Sequence, residues 1–131
     1  VAEKVERTAL AALADLKPAT LAIARGSLGF AANRRKPISP GVSGPVDHDM
    51  PMLVAKNPDG TVRAIVANYA CHCTTGGPDI NQVHGDWAAC ACEDLEAAHA
   101  GAVAMITIGC GADANPSPRG SLALAKQHGP V

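Results

Sequence analysis

Aromatic side chains are nearly missing from this 131-residue chain: Trp87, Tyr69 and Phe30 are the whole set, 2% of the residues. A core without them is built from Ala, Val, Leu and Ile, each burying little area at roughly 25 cal/mol per Å². A surplus of charge is missing too, with 11 Lys plus Arg against 12 Asp plus Glu and a net charge of -1. Nucleic-acid binders and polybasic membrane tethers carry a basic surplus, so the balance argues against both. No apolar run reaches the ~20 residues of a membrane-spanning helix. The first residues also lack the basic, apolar and small-residue succession of a signal peptide. No C-x-x-C pair is present: Cys71, Cys73, Cys90, Cys92 and Cys110 form two C-x-C pairs and a single. An odd number leaves at least one thiol unpaired, and the burial preference of cysteine predicts mostly buried free thiols. What is present, 47% hydrophobic and 18% charged residues, suffices for one packed domain. The chain opens on Val1 inside a helical pattern and closes on Val131 just after another. It is therefore expected to be a fragment of a longer protein, cut at both ends.

Val5, Ala9, Leu13 and Leu16 recur at helical spacing, which predicts an amphipathic helix over Glu3–Leu16, stopped by Pro18. A strand is expected over Thr20–Phe30, ending in the polar cluster Asn33, Arg34, Arg35 and Lys36. The proline-rich stretch Pro37–Pro51 reads as a loop that carries Asp47, His48 and Asp49. Met52–Lys56 and Thr61–Tyr69 flank Asn57-Pro58-Asp59-Gly60, a hairpin signal. Asp86–Ala98 reads as a helix, Ala102–Ile108 as a buried strand, and Ser121–His128 as a short helix. The order predicts a mixed α/β fold, with helices flanking a mixed or mainly antiparallel sheet. Parallel pairing is possible across the Asp86 helix. Polar clusters fall where strands end, the usual place for chemistry in α/β folds.

Asn68-Tyr69-Ala70-Cys71-His72-Cys73-Thr74-Thr75 is the first such cluster. If the chain stays extended, alternation puts Cys71 and Cys73 on the core face and turns His72 toward a polar pocket. A lone histidine there is a metal-ligand or catalytic candidate; the plainer alternative is a histidine that bonds a nearby loop. In Val83-His84-Gly85-Asp86-Trp87, Asp86 is placed to cap the following helix, or with His84 to support the His72 pocket. Asp113 and Asn115 lie in the loop Gly109–Pro116, where turn formation alone accounts for much of the composition. Arg34 offers a guanidinium fork for carboxylate or phosphate, or a solvated strand end.

These motifs, in this order, resemble the N-terminal catalytic domain of the neutral/alkaline non-lysosomal ceramidase family. They run from Asn33-Arg34-Arg35 through Gly44-Pro45-Val46-Asp47, Asn68–Thr75 and His84-Gly85-Asp86-Trp87 to Gly109–Pro116. The resemblance covers roughly Leu16 to the C-terminus. It implies a zinc-dependent amidase in which a metal-activated water attacks the amide joining a fatty acid to a sphingoid base. It places one zinc ligand on His72, with Thr74 and Arg34 toward the substrate. Asp113, Asn115, His84 and Asp86 fall on catalytic segments. One zinc ion is implied, its other ligands lying outside this chain. The resemblance further implies a lipid or small-molecule amide substrate and a secreted or periplasmic location, while charge and hydropathy predict no nucleic-acid partner and no membrane span. Two departures stand out. The family's Gly-Asp-x-Ser-Pro reads Ala112-Asp113-Ala114-Asn115-Pro116 here, and its Gly-Asp-Asn reads Gly85-Asp86-Trp87. Asn115 cannot relay a proton as a serine hydroxyl does, but it can donate a hydrogen bond to an oxyanion.

Two other classes remain open on sequence. One is a non-catalytic ligand-binding module that kept the fold and lost the chemistry, favoured by Asn115. The other is a small structural zinc module using Cys71, His72, Cys73 and His84, disfavoured by strand alternation.

Overall fold

The computed structural model describes residues 1–35 and 43–130. Lys36 and the first part of the expected Pro37–Pro51 loop lie outside these residues.

The elements run α1 (Ala2–Ala14), β1 (Thr20–Ser27), β2 (Ala31–Asn33), β3 (Asp49–Lys56), β4 (Val62–Tyr69), α2 (Asp86–Ala98), β5 (Val103–Ile108), β6 (Ala114–Pro116) and α3 (Leu122–His128). Strands β1-β3-β4-β5 form one sheet in that order, and β2 pairs with β6 in a second, small one. β1, β3 and β4 are antiparallel neighbours, while β4 and β5 run parallel, with α2 between them in the chain. The mixed α/β expectation therefore holds, including parallel pairing across the Asp86 helix.

The hairpin forms as its turn residues predict. Gly60 takes φ +86, a left-handed conformation that favours glycine. The Asp59 carboxylate accepts from the Thr61 backbone N–H at 2.9 Å and from its hydroxyl at 2.6 Å. α2 has the expected bounds, and α3 is capped by Ser121, whose hydroxyl accepts from Leu124 N–H.

Four expectations need correction. The strand expected over Thr20–Phe30 ends at Ser27. Beyond it the chain turns inward: Leu28 N–H bonds the His48 carbonyl, and the Tyr69 hydroxyl bonds the Leu28 carbonyl. β3 begins at Asp49, so Pro51 is a strand residue. Pairing with β4 starts only at Met52↔Ala67, and a proline just before it sacrifices no ladder bond on that side. The strand expected to be buried over Ala102–Ile108 forms as β5 with no residue buried, and Val103 and Met105 are exposed because that face of the sheet is uncovered. The apolar stripe of α1 is exposed as well, with Val5 and Leu13 each more than 60% accessible and no residue of the helix buried.

The sheet is covered on one face. Ile65, Ala67 and Tyr69 point into the core with Met50, Trp87, Cys90 and Ala91. The alternate residues Leu21, Ile23, Leu53, Val103 and Met105 are exposed on the other face. All the aromatic rings meet at one place. Phe30 contacts Tyr69 and Trp87 edge-on at centroid distances of 5.1 and 5.3 Å, and Tyr69 meets Trp87 at 5.7 Å. The His128 imidazole of α3 stacks on Phe30 at 4.4 Å. A chain with so few rings spends them together, at the carboxyl end of β4, where T-shaped pairs gain beyond their area burial. Burial raises the Tyr69 phenol to about 12. It stays a neutral donor to Leu28 and accepts from Ala31 N–H.

Candidate functional site

The parallel strands β4 and β5 end side by side, and the segments that follow them meet beyond their carboxyl ends, the usual crevice of such sheets. Asn68 donates to the Thr107 hydroxyl at 2.8 Å, and Gly109 N–H bonds the Tyr69 carbonyl. Gly111 then passes so close that a Cβ would sit 2.6 Å from the Cys71 nitrogen. Only glycine allows this approach, which presses the Gly109–Pro116 segment onto Ala70-Cys71.

The alternation expected through Cys71-His72-Cys73 stops with β4 at Tyr69. Cys71 is buried as predicted, and burial raises its thiol to about 12. Cys73 is exposed rather than in the core, because the chain is no longer extended there. All five cysteines are free, with only Cys71 and Cys90 fully buried, so the expectation of mostly buried thiols fails for Cys73 and Cys110.

His72 is held through its backbone. Its N–H donates to the Ala114 carbonyl of β6 at 3.0 Å, and its carbonyl accepts from the Trp87 indole N–H at 3.0 Å. Its half-buried imidazole has no hydrogen-bond partner among the described residues. Two residues on, the Thr74 hydroxyl faces the Asn115 Oδ1 at 3.5 Å.

β6 also gathers the basic cluster. β2 pairs with it through Ala32↔Asn115 and Asn33↔Ala114. Asn33 Nδ2 donates to the Asp113 carboxylate at 3.1 Å and to the Pro45 carbonyl at 2.9 Å. Arg34 donates its backbone N–H to the Asp113 carbonyl and its Nε to the Ala112 carbonyl. The structure thus brings His72, Thr74, Asn115, Asp113 and Arg34 around one short strand.

Asp86 and His84 sit on the neighbouring side, where α2 begins. Gly85 is the residue preceding the helix, and Asp86 is its first residue. Asp86 does not cap in the expected manner. It takes φ +57, a conformation Asp tolerates better than most residues. One carboxylate oxygen accepts from Trp87 N–H at 2.9 Å and the other from Gly76 N–H at 3.0 Å. The group ties the start of α2 to the segment after His72. Burial pushes this carboxyl up. The Thr75 hydroxyl and the backbone N–H groups of Trp87, Gly76 and Thr75 outweigh burial and hold it below its ordinary 3.8. Thr75, fully buried, lies beside the carboxylate, yet its Oγ1 reaches no partner at full hydrogen-bond geometry. The His84 Nδ1 accepts from Asp86 N–H at 2.8 Å, which leaves the neutral ring's proton on Nε2. A cleft of about 480 Å³ opens here, lined in part by Thr74, Gln82, His84, Asp86 and Arg119. His72 does not line it.

The lowered Asp86 carboxyl has a pH consequence. A depressed acid stabilises the fold above its unfolded value near 3.8, and that contribution disappears as pH falls through the lower folded value. Asp86→Asn, which also tolerates φ > 0, is expected to lower the urea midpoint at pH 7, with the gap to wild type closing in acid below that value. A gap independent of pH would contradict the assignment.

Sequence reasoning missed the two groups that hold this site together. Trp87 was legible only as a rare residue next to Asp86. Thr75 had no signal beyond its place in the Cys-His-Cys-Thr-Thr run.

Among the described residues, no group of three or more His, Cys, Asp or Glu is arranged to hold a metal ion. The structural zinc module of Cys71, His72, Cys73 and His84 is therefore not formed, since Cys71 is in the core and Cys73 faces outward.

The arrangement of elements is similar to that of solved structures. Neutral ceramidase from Pseudomonas aeruginosa superposes with a TM-score of 0.72 at 18% identity over 94% of this chain. The chain shares the fold of the part of that ceramidase on which it superposes. A ceramidase complexed with C2 superposes with a TM-score of 0.70 at 18% identity over 90% of the chain. The chain spans 24% and 22% of the lengths of these two ceramidases. No family model matches the chain. No curated protein matches it either.

Proposed function

We propose that the chain is part of a ceramidase-like hydrolase that cleaves an N-acyl amide of a lipid, with His72 supplying one ligand to a catalytic zinc. The observation that carries this reading is the convergence of His72, Thr74, Asn115, Asp113 and Arg34 on β6 within the ceramidase fold. A catalytic zinc takes three protein ligands, and this chain offers one, so the others belong to residues outside it. The fit at His72 is favourable in one respect: its imidazole is uncommitted while its backbone is fixed on both sides. Zinc, when bound, supplies an activated water and polarises the amide carbonyl.

The chain's own residues have separate tasks in this reading. Arg34 binds the substrate's polar end, its Nε anchored by Ala112. Asn115 turns its Oδ1 to the Thr74 hydroxyl, which leaves its amide N–H₂ free to donate to a developing oxyanion. That role replaces the hydroxyl of the family's serine and needs no proton transfer. Asp86 holds the loop after His72 against α2, His84 accepts the Asp86 N–H where that helix begins, and Asp113 fixes Asn33 beside Arg34.

The protein as encoded is expected to release fatty acid from an N-acyl sphingoid substrate, to lose this activity on chelation, and to regain it on adding zinc. Substrate binding without turnover under all three conditions would instead support the binding module.

A further inference from the structure

We propose that Trp87 is a positioning residue for His72, acting through its indole N–H. This inference rests on the hydrolase reading, in which the His72 imidazole is the working group. Trp87 stands where the resemblance places an asparagine, so its role here belongs to this chain.

The geometry has three parts. The indole N–H donates to the His72 carbonyl at 3.0 Å while the His72 N–H donates to Ala114 at 3.0 Å. The peptide groups on both sides of one Cα are thereby fixed, from α2 on one side and β6 on the other. The ring is fully buried, with Phe30 and Tyr69 against it edge-on, so it has no freedom to swing away. Finally, the Trp87 backbone N–H bonds the Asp86 carboxylate, whose other oxygen takes Gly76 N–H. Residues 72 and 76 are thus tied to the same turn of α2, one through the indole and one through the carboxylate. The strand ladder ends at Tyr69 and no longer holds the chain there. The indole N–H is what orients His72 relative to Asn115 on β6. A misplacement of about 1 Å in such a group costs on the order of a hundredfold in rate.

Trp87→Phe keeps an aromatic ring and deletes the donor. Tyr69→Phe is the control, because it removes two hydrogen bonds from the same core without touching His72. Backbone amide exchange reads the local effect directly. In Trp87→Phe, exchange at His72 and Gly76 is expected to rise about tenfold relative to the amides of β4 and β5, and in Tyr69→Phe it is not. In the protein as encoded, Trp87→Phe is expected to lower kcat at least about tenfold with KM within about twofold, again unlike Tyr69→Phe. Equal local exchange in the two variants, or an unchanged kcat in Trp87→Phe, overturns the proposal. If His72→Ala still abolishes hydrolysis in that case, the hydrolase reading stands without it. If His72→Ala hydrolyses normally, the hydrolase reading fails, and with it the catalytic purpose assigned to Trp87.

Discussion

Replacing His72 with alanine is expected to abolish hydrolysis and leave the fold intact. The two effects separate because of how the residue is held. Its structural bonds are backbone bonds, to Ala114 and from Trp87, and alanine keeps both. Its imidazole is half-buried and bonds nothing among the described residues. A substitution of that kind changes stability by roughly 0.5 kcal/mol or less. Loss of one ligand from a catalytic metal removes both the activated water and the carbonyl polarisation, a loss of several kcal/mol in the transition state. Turnover should therefore fall by a factor of about a thousand or more, with a thermal midpoint within about 2 °C of wild type. An active variant, or one that unfolds, contradicts this account of the residue.

Trp87→Ala should do the opposite, acting on the fold first. The side chain is fully buried and touches both other aromatic rings of the chain. Truncating a large core aromatic costs about 3–5 kcal/mol. The substitution also strips the His72 carbonyl of its donor. Against a total stability of roughly 5–15 kcal/mol, this is a large share. The expected drop in the thermal midpoint is on the order of 10 °C or more, followed by circular dichroism because the sole tryptophan is gone. A loss below about 1 kcal/mol would mean that the aromatic cluster is not the centre of the core.

Much of this arrangement is written locally. The Asn57–Gly60 turn, the helix Asp86–Ala98 and the apolar run of β5 all follow from neighbours in sequence, and their predicted and observed bounds nearly coincide. The polar clusters at strand ends did mark the residues that converge. The failures have physical causes. β2 and β6 are three residues long, too short for any period, and exist only because each supplies the other's hydrogen bonds. Cys73 was assigned to the core by an alternation that ceases once β4 ends. Asp86 was expected to cap α2, yet Gly85 precedes the helix, and the carboxylate reaches across to Gly76 instead. That contact depends on where residues 70–80 fold, and nothing in the local sequence specifies it. The scarcity of aromatics was visible at once, but not that Phe30, Tyr69 and Trp87 would share one cluster under His72.

The most direct test of the central claim is the zinc content of the protein as encoded, measured per chain after dialysis, for wild type and for His72→Ala. The account predicts about one zinc per chain in the wild type and almost none in the variant. A full complement of zinc in His72→Ala would contradict it, since His72 would then not be a ligand and the hydrolase reading would lose its metal-binding residue.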